Sequence, residues 1–249
     1  MKIAFLADFF VEDGINGGGE LNNQELIHIL TSMGHSVAKH NTHGLTPENL
    51  PDPSTKLIIG NFIALQEHTK QYIIDKYSYI IYEHDHKYLK TRDPSPFTDY
   101  RAPAHQIINK EFYKKAKAII CQSNLHKHVL KINLQIPNII NASGNLWSEE
   151  TLDYLESIST SQEEKEDACS IMYSNIPNKN VEASILYCRA KGLKTDKIMP
   201  CSHKEFLTKL NKNKTLVFFP KTLETLSRIV VEARMLNCKI ATNKKIGAA

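Results

Sequence analysis

The chain has 249 residues, 41% hydrophobic and 23% charged, which is ordinary for a soluble globular protein, leaves room for two modest domains and excludes collagen-like and disordered classes. A net charge of +4 favours anionic ligands but falls short of the basicity that would by itself argue for nucleic acid. Five scattered cysteines without a C-x-x-C pair imply neither a disulfide framework nor a zinc knuckle and fit a reducing cytoplasm.

The opening "MKIAFLADFF" is interrupted by Asp8 and lacks the long apolar region and small-residue cleavage site of a signal peptide, so it reads as a first strand. No later run approaches the length of a membrane span, and in a cytoplasmic chain the sequons at Asn141 and Asn213 carry no information. After "KIAFLA" a glycine loop leads to a helix over 20–32 that Gly34 ends, followed by the strand "SVAKH". Next come "KLIIG", a helix over 65–75, "YIIYEH", a helix over 106–115, "AIICQS", a short helix from Asn124 and "NIINAS". This repeated βα alternation calls for a mostly parallel sheet with helices on both faces.

Beyond "SEETLDYLESI" the stretch "STSQEEKED" is polar and without apolar periodicity, the natural place for a junction. The reading is therefore a first domain over 1–150, a junction over 151–167 and a second domain over 168–249. In the second, "CSIMYS" precedes a helix over 180–191, "KIMP" one over 203–210, and "TLVFFP" leads to "FFPKTLETLSRIVVEARMLN" and the strand "KIATN". Two α/β doubly wound, Rossmann-like domains with a cleft between them is the economical architecture, because ligands sit at the carboxyl ends of parallel strands.

Three stretches carry chemistry. "NGGGE", Asn16 to Glu20, lies in a βα turn, where glycines let backbone N–H groups approach an anion or simply make a tight turn. "YEHDHKYL" ends a strand; His84 and His86 project together while Asp85 alternates away, and two ligands do not make a metal site, leaving His84 a polar or catalytic group or a plain strand-end histidine. In the last helix, Leu226, Ile229, Val230, Ala233 and Leu236 form one apolar stripe with Glu232 at its edge. Glu232 reads either as an i,i+4 partner of Arg228 or as a carboxylate accepting hydrogen bonds from a sugar or ribose diol, and Glu224 as a first-turn acid complementing the helix dipole.

The stretch "FFPKTLETLSRIVVEARMLNCKIATNKKIGA", with Glu224 and Glu232 in an E-x7-E pair, resembles the donor-site signature of the retaining family-four glycosyltransferases of the GT-B fold. "NGGGELNNQELIHILTSMGHSV" is similar to that family's N-terminal glycine loop and first helix, "IIYEHD" to the strand ending in its active-site His-Asp, and "AKAIICQSNLHKHVL" to the following strand-Ser-helix unit. The motifs occur in the family's order from Met1 to Gly247. The resemblance implies a metal-independent hexosyl- or pentosyltransferase with no cofactor beyond its nucleotide-sugar co-substrate. The first domain would serve the acceptor, whether glycan, lipid, small molecule or modified DNA.

It also implies residue roles. Catalytic His84 would lie beside the reacting sugar and Glu224 would contact its hydroxyls. Gly17 and Gly18 would approach the diphosphate, Lys179 would offset its charge, the backbone at Thr225, Leu226 and Ser227 would meet the donor at a helix N-terminus, and Glu232 would hold the ribose. The arginine usual five residues before the lysine is Ser174 here, and Thr225 replaces a frequent Gly or Pro. The chain stops just after the last signature strand, so the second domain is expected to be incomplete. A glycosyltransferase acting on hydroxymethylated DNA bases and an inactive nucleotide-sugar-binding module are the alternatives.

Overall fold

The computed structural model describes residues 1–14, 17–161 and 164–248. Asn16 of the glycine run, and Gln162 and Glu163 of the polar junction, lie outside the described residues. The chain divides into two compact units, Met1–Leu146 and Trp147–Ala249.

In the first unit, strands β1 (Lys2–Ala7), β2 (Ser36–Asn41), β3 (Lys56–Ile59), β4 (Tyr79–Tyr82), β5 (Ile119–Cys121) and β6 (Ile139–Asn141) alternate with helices α1 (Gly18–Ser32), α2 (Glu67–Lys76), α3 (Lys110–Lys115) and α4 (Asn124–Leu134). The sheet is parallel throughout, in the order β2-β1-β3-β4-β5-β6, with Phe5 opposite Lys39 on one side and Ile58 on the other. Alternation along β1 feeds two cores: Ala4 and Leu6 pack with Ile59, Ile81 and Tyr113, while Ile3, Phe5 and Ala7 pack with Ile27, Ile58 and Tyr82. Each fully buried Leu, Ile or Phe among them contributes about 1.5–3 kcal/mol relative to exposure.

Helix α3 starts at Lys110, later than the periodicity predicts. Pro103 opens a separate 3-10 turn at Ala104–Gln106, and Asn109 sits at φ 56°, so the helical run cannot pass continuously through it. Asn109 donates to the Lys87 carbonyl at 2.9 Å and accepts from Lys70 Nζ at 2.9 Å, which fixes this break.

The second unit contains α5 (Glu149–Ser159), β7 (Glu166–Met172), α6 (Val181–Ala190), β8 (Thr195–Ile198), α7 (His203–Asn211), β9 (Asn213–Phe218), α8 (Arg228–Met235) and β10 (Lys239–Thr242). Its four parallel strands run β10-β9-β7-β8. Most of the described part of the stretch read as a junction, 151–167, is helical: α5 is capped by Ser148, which accepts from Thr151 N at 3.2 Å, and it buries Leu155 against Leu207, Leu210 and Leu236.

Helix α8 starts at Arg228, so Leu226 belongs to the loop before it and not to a helical stripe. The reason is local. Glu224 makes a parallel bridge to Ile246, with Glu224 N–H donating to Lys245 O at 2.8 Å and Gly247 N–H donating to Glu224 O at 3.0 Å, so the backbone here is extended and committed elsewhere. Leu226 is buried all the same, and Val230, Ala233 and Leu236 form the apolar face of α8.

Candidate functional site

Both sheets contain a point where the strand order reverses, between β1 and β3 in the first unit and between β7 and β9 in the second. At such a point the loops leaving adjacent strands diverge to opposite faces and open a crevice at their carboxyl ends. The candidate residues of the second unit lie there. The loop after β7 and the loop after β9 are joined by Lys221 N–H to Asn178 O at 2.8 Å and by Asn180 Nδ2 to Phe219 O at 3.0 Å. Across this seam Lys179 Nζ donates to Glu224 Oε1 at 2.8 Å, with both side chains half-buried. Ser174 spends its hydroxyl locally, accepting from Ile176 N–H at 3.2 Å.

Behind this pair, Thr225 and Leu226 are buried and Ser227 holds φ 77° directly before α8. That strained residue turns the chain from the Glu224 bridge into the helix. Glu232 is 1% exposed and bound by three partners: Trp147 Nε1 and His203 Nε2 each donate to its Oε1 at 2.9 Å, and Arg228 lies 3.7 Å away in the i,i+4 position. Burial alone would raise the Glu232 carboxyl; the bonds from His203 and Trp147 and the Arg228 charge outweigh it and hold the group below its usual range. The Arg228 guanidinium also stacks on Trp147, 4.4 Å from the ring centroid. Trp147 and His203 escape sequence reasoning because nothing in their spacing ties them to Glu232.

In the first unit, Gly17 caps α1 with extended backbone and Gly18 and Gly19 form its first turn. A Cβ on Gly19 would lie 3.5 Å from the His84 ring, so the glycine run and the histidine after β4 are brought together. Gln122 Nε2 donates to His84 Nδ1 at 2.9 Å, and His84 Nε2–H donates to Asn23 Oδ1 at 2.6 Å. Burial, assisted by the Lys87 charge, pushes the His84 pKa down to about 3, so the ring is neutral with both nitrogens engaged. These two bonds fix the orientation of the ring. Asn23 is in turn pressed on Gly60, where a Cβ would come within 3.1 Å of both Asn23 and Phe5.

His84, Asp85 and His86 do not converge on one point. Asp85 accepts from Lys87 Nζ at 3.1 Å and from Arg92 Nε at 2.9 Å, while His86 Nδ1 meets the Tyr88 hydroxyl at 3.1 Å. Beneath them Glu83, fully buried, accepts from Lys87 Nζ and the Tyr113 hydroxyl.

No protein-family model matches the chain, and no curated protein matches it by sequence. Solved structures do. The catalytic domain of starch synthase IV from Arabidopsis thaliana, bound to ADP and acarbose, superimposes with a TM-score of 0.60 at 8% identity over 99% of this chain and 83% of that one. This chain has the GT-B glycosyltransferase fold. Sucrose-phosphate synthase from Thermosynechococcus elongatus gives a TM-score of 0.58 at 8% identity, covering 99% of this chain and 82% of its own. An alpha-glucosyltransferase in complex with UDP-glucose and DNA containing an abasic site gives 0.51 at 13% identity, covering 98% and 80%. Among the described residues of this GT-B chain, no helix is long and apolar enough to cross a membrane.

Proposed function

We propose that the chain is a glycosyltransferase that moves a hexosyl or pentosyl group from a nucleotide-sugar donor to an acceptor hydroxyl with retention of anomeric configuration. The observation that carries this reading is the Lys179–Glu224 pair at the β7/β9 reversal, two residues 45 positions apart held at 2.8 Å on the loops where a doubly wound sheet takes its ligand. Donor phosphates compete for Lys179, and Glu224, released from its cation, accepts hydrogen bonds from the sugar hydroxyls. The loop Thr225 to Ser227, which leads into the α8 N-terminus at Arg228, adds donors for the diphosphate, and Glu232 with its Trp147 and His203 partners serves the ribose side.

In the reaction the bond from the anomeric carbon to the diphosphate oxygen breaks, the acceptor oxygen bonds to the same face of that carbon, and the acceptor proton passes to the departing diphosphate. Lys179 stabilises the charge that develops on the leaving group, so turnover is expected to persist in EDTA. In the acceptor-side unit, Gly17 and Gly18 keep the α1 start open to a diphosphate, and His84 is a positioning wall held by Asn23 and Gln122.

Calorimetric titration with UDP, and with UDP-glucose for turnover, tests the reading. Lys179→Ala is expected to weaken UDP at least tenfold, about 1.4 kcal/mol. Unchanged affinity in a folded Lys179→Ala variant overturns the assignment, and donor binding without transfer or donor hydrolysis points instead to an inactive binding module. The likeness to the DNA-bound alpha-glucosyltransferase favours a second reading, transfer to a hydroxymethylated base. Duplex affinity that falls steeply with salt would identify it.

A further inference from the structure

The first unit holds a cavity of about 670 Å³ that the donor reading leaves unused. It opens between the loop after β3 and the loop after β4, with Phe62, Leu65, Leu89 and Ile108 forming an apolar floor and Lys70, Lys87, Lys90 and Arg92 on its walls. Four cations converging on one concave surface is far from the chain-wide balance of 31 basic against 27 acidic residues.

The local charge count leaves an excess. Lys87 is matched by Glu83 and Asp85, and Arg92 by Asp85. Lys70 is 7% exposed, yet its only carboxylate partner among the described residues, Glu67 at 2.7 Å, has a side chain that is 84% exposed and screened by water. Lys90 has no acidic partner among the described residues. Four cations against Glu67, Glu83 and Asp85 leave one net positive charge in a cavity with low-dielectric walls, where an anion gains more than it would at an open surface. The Lys70 and Lys87 ammonium groups also stand 5.8 and 5.5 Å from the centroid of the one Phe62 ring. That places both beside the apolar floor, with Lys90 and the half-exposed Arg92 as the accessible cations.

We propose that this cavity is an oxyanion subsite for the acceptor, taking a small molecule or glycan terminus that carries a phosphate or carboxylate next to an apolar or sugar-ring face. The proposal rests on the glycosyltransferase reading and adds the chemical class of the acceptor to it. A concave pocket of this volume suits a single anionic group with its immediate neighbours, whereas the backbone of duplex DNA needs an extended basic track.

The test is calorimetry on the full chain with glucose 6-phosphate and with glucuronate, the former supplying a phosphate and the latter a carboxylate, and with uncharged glucose as reference. Lys90→Gln with Arg92→Gln is expected to weaken one or both anions at least tenfold, whereas Lys179→Ala and the remote exposed Lys117→Gln change them less than twofold. Equal affinity of the double variant and the wild type overturns the proposal, as does loss of anion binding in Lys179→Ala, which would place the anion at the donor site. A duplex oligonucleotide that displaces glucose 6-phosphate, with that displacement lost in the double variant, overturns the small-ligand assignment in favour of nucleic acid. UDP affinity measured on the same variants reports separately: its persistence in the double variant leaves the donor reading standing if the subsite fails, and its absence from the wild type removes the donor reading itself.

Discussion

The two units use buried carboxylates in opposite ways. In the first, Glu83 is sealed beneath the sheet edge with Lys87 and Tyr113, and three histidines nearby are held neutral by burial. In the second, Glu232 is equally buried but its partners, Trp147, His203 and Arg228, come from three different segments, and Glu224 half-emerges with Lys179 at the sheet's reversal point. A polar network built mainly from one short segment, 83–92, and sealed by Tyr113 serves as scaffold. One assembled from distant segments with an exposed end is suited to rearrange around a ligand.

The scaffold side of this contrast breaks most severely at Lys87. Lys87→Met leaves the Glu83 carboxylate buried with Tyr113 as its remaining side-chain donor, and the expected loss is about 3–5 kcal/mol in urea unfolding. A Lys87→Met variant that unfolds within about 1 kcal/mol of wild type in the same urea titration would show that the network is not structural. Acid gives the next effect. Burial pushes His86 down to about 4 and His126 well below its ordinary range, as it does His84. These rings are neutral when folded and bind protons near pH 6.5 when unfolded, so their stabilisation is complete above about pH 6.5 and is lost as pH falls towards the folded values.

Glu83, pushed up to about 7 by burial, runs the other way with one proton against three. Net proton uptake on unfolding stays positive, costing about 1.4 kcal/mol per pH unit for each net proton between about pH 6.5 and 4.5. Urea midpoints that do not fall across this window would refute it, and the His126→Asn variant should flatten the slope.

On the ligand side, Glu232→Ala strands Trp147, His203 and Arg228 and should cost about 2 kcal/mol of stability as well as donor affinity. Glu232→Gln keeps an acceptor for Trp147, so it should recover most of the stability and little of the affinity. Equal rescue of both would make Glu232 a structural residue only.

The βα rhythm and the ten strands among the described residues were legible because parallel strands buried on both faces read as continuous apolar runs such as "KIAFLA" and "TLVFF". Helix α5 was not: "SEETLDYLESI" buries only Leu155 deeply, so its apolar signal is weak beside its acids. The start of α8 was misplaced because Leu226 fits the helical stripe by spacing although the Glu224 bridge holds the chain extended before it. Pairings such as His84 with Asn23 and Gln122, separated by 61 and 38 residues, are set by which strand ends adjoin, and no local pattern encodes them.

Trp147 is the only tryptophan in the chain, and its indole N–H points at Glu232 while its face carries Arg228. The protein thus has an optical reporter wired into one carboxylate. Any event that redirects Glu232 or lifts Arg228 from the ring alters the emission of a single fluorophore, so occupancy of this site can be followed in the unlabelled molecule against a background of tyrosines alone.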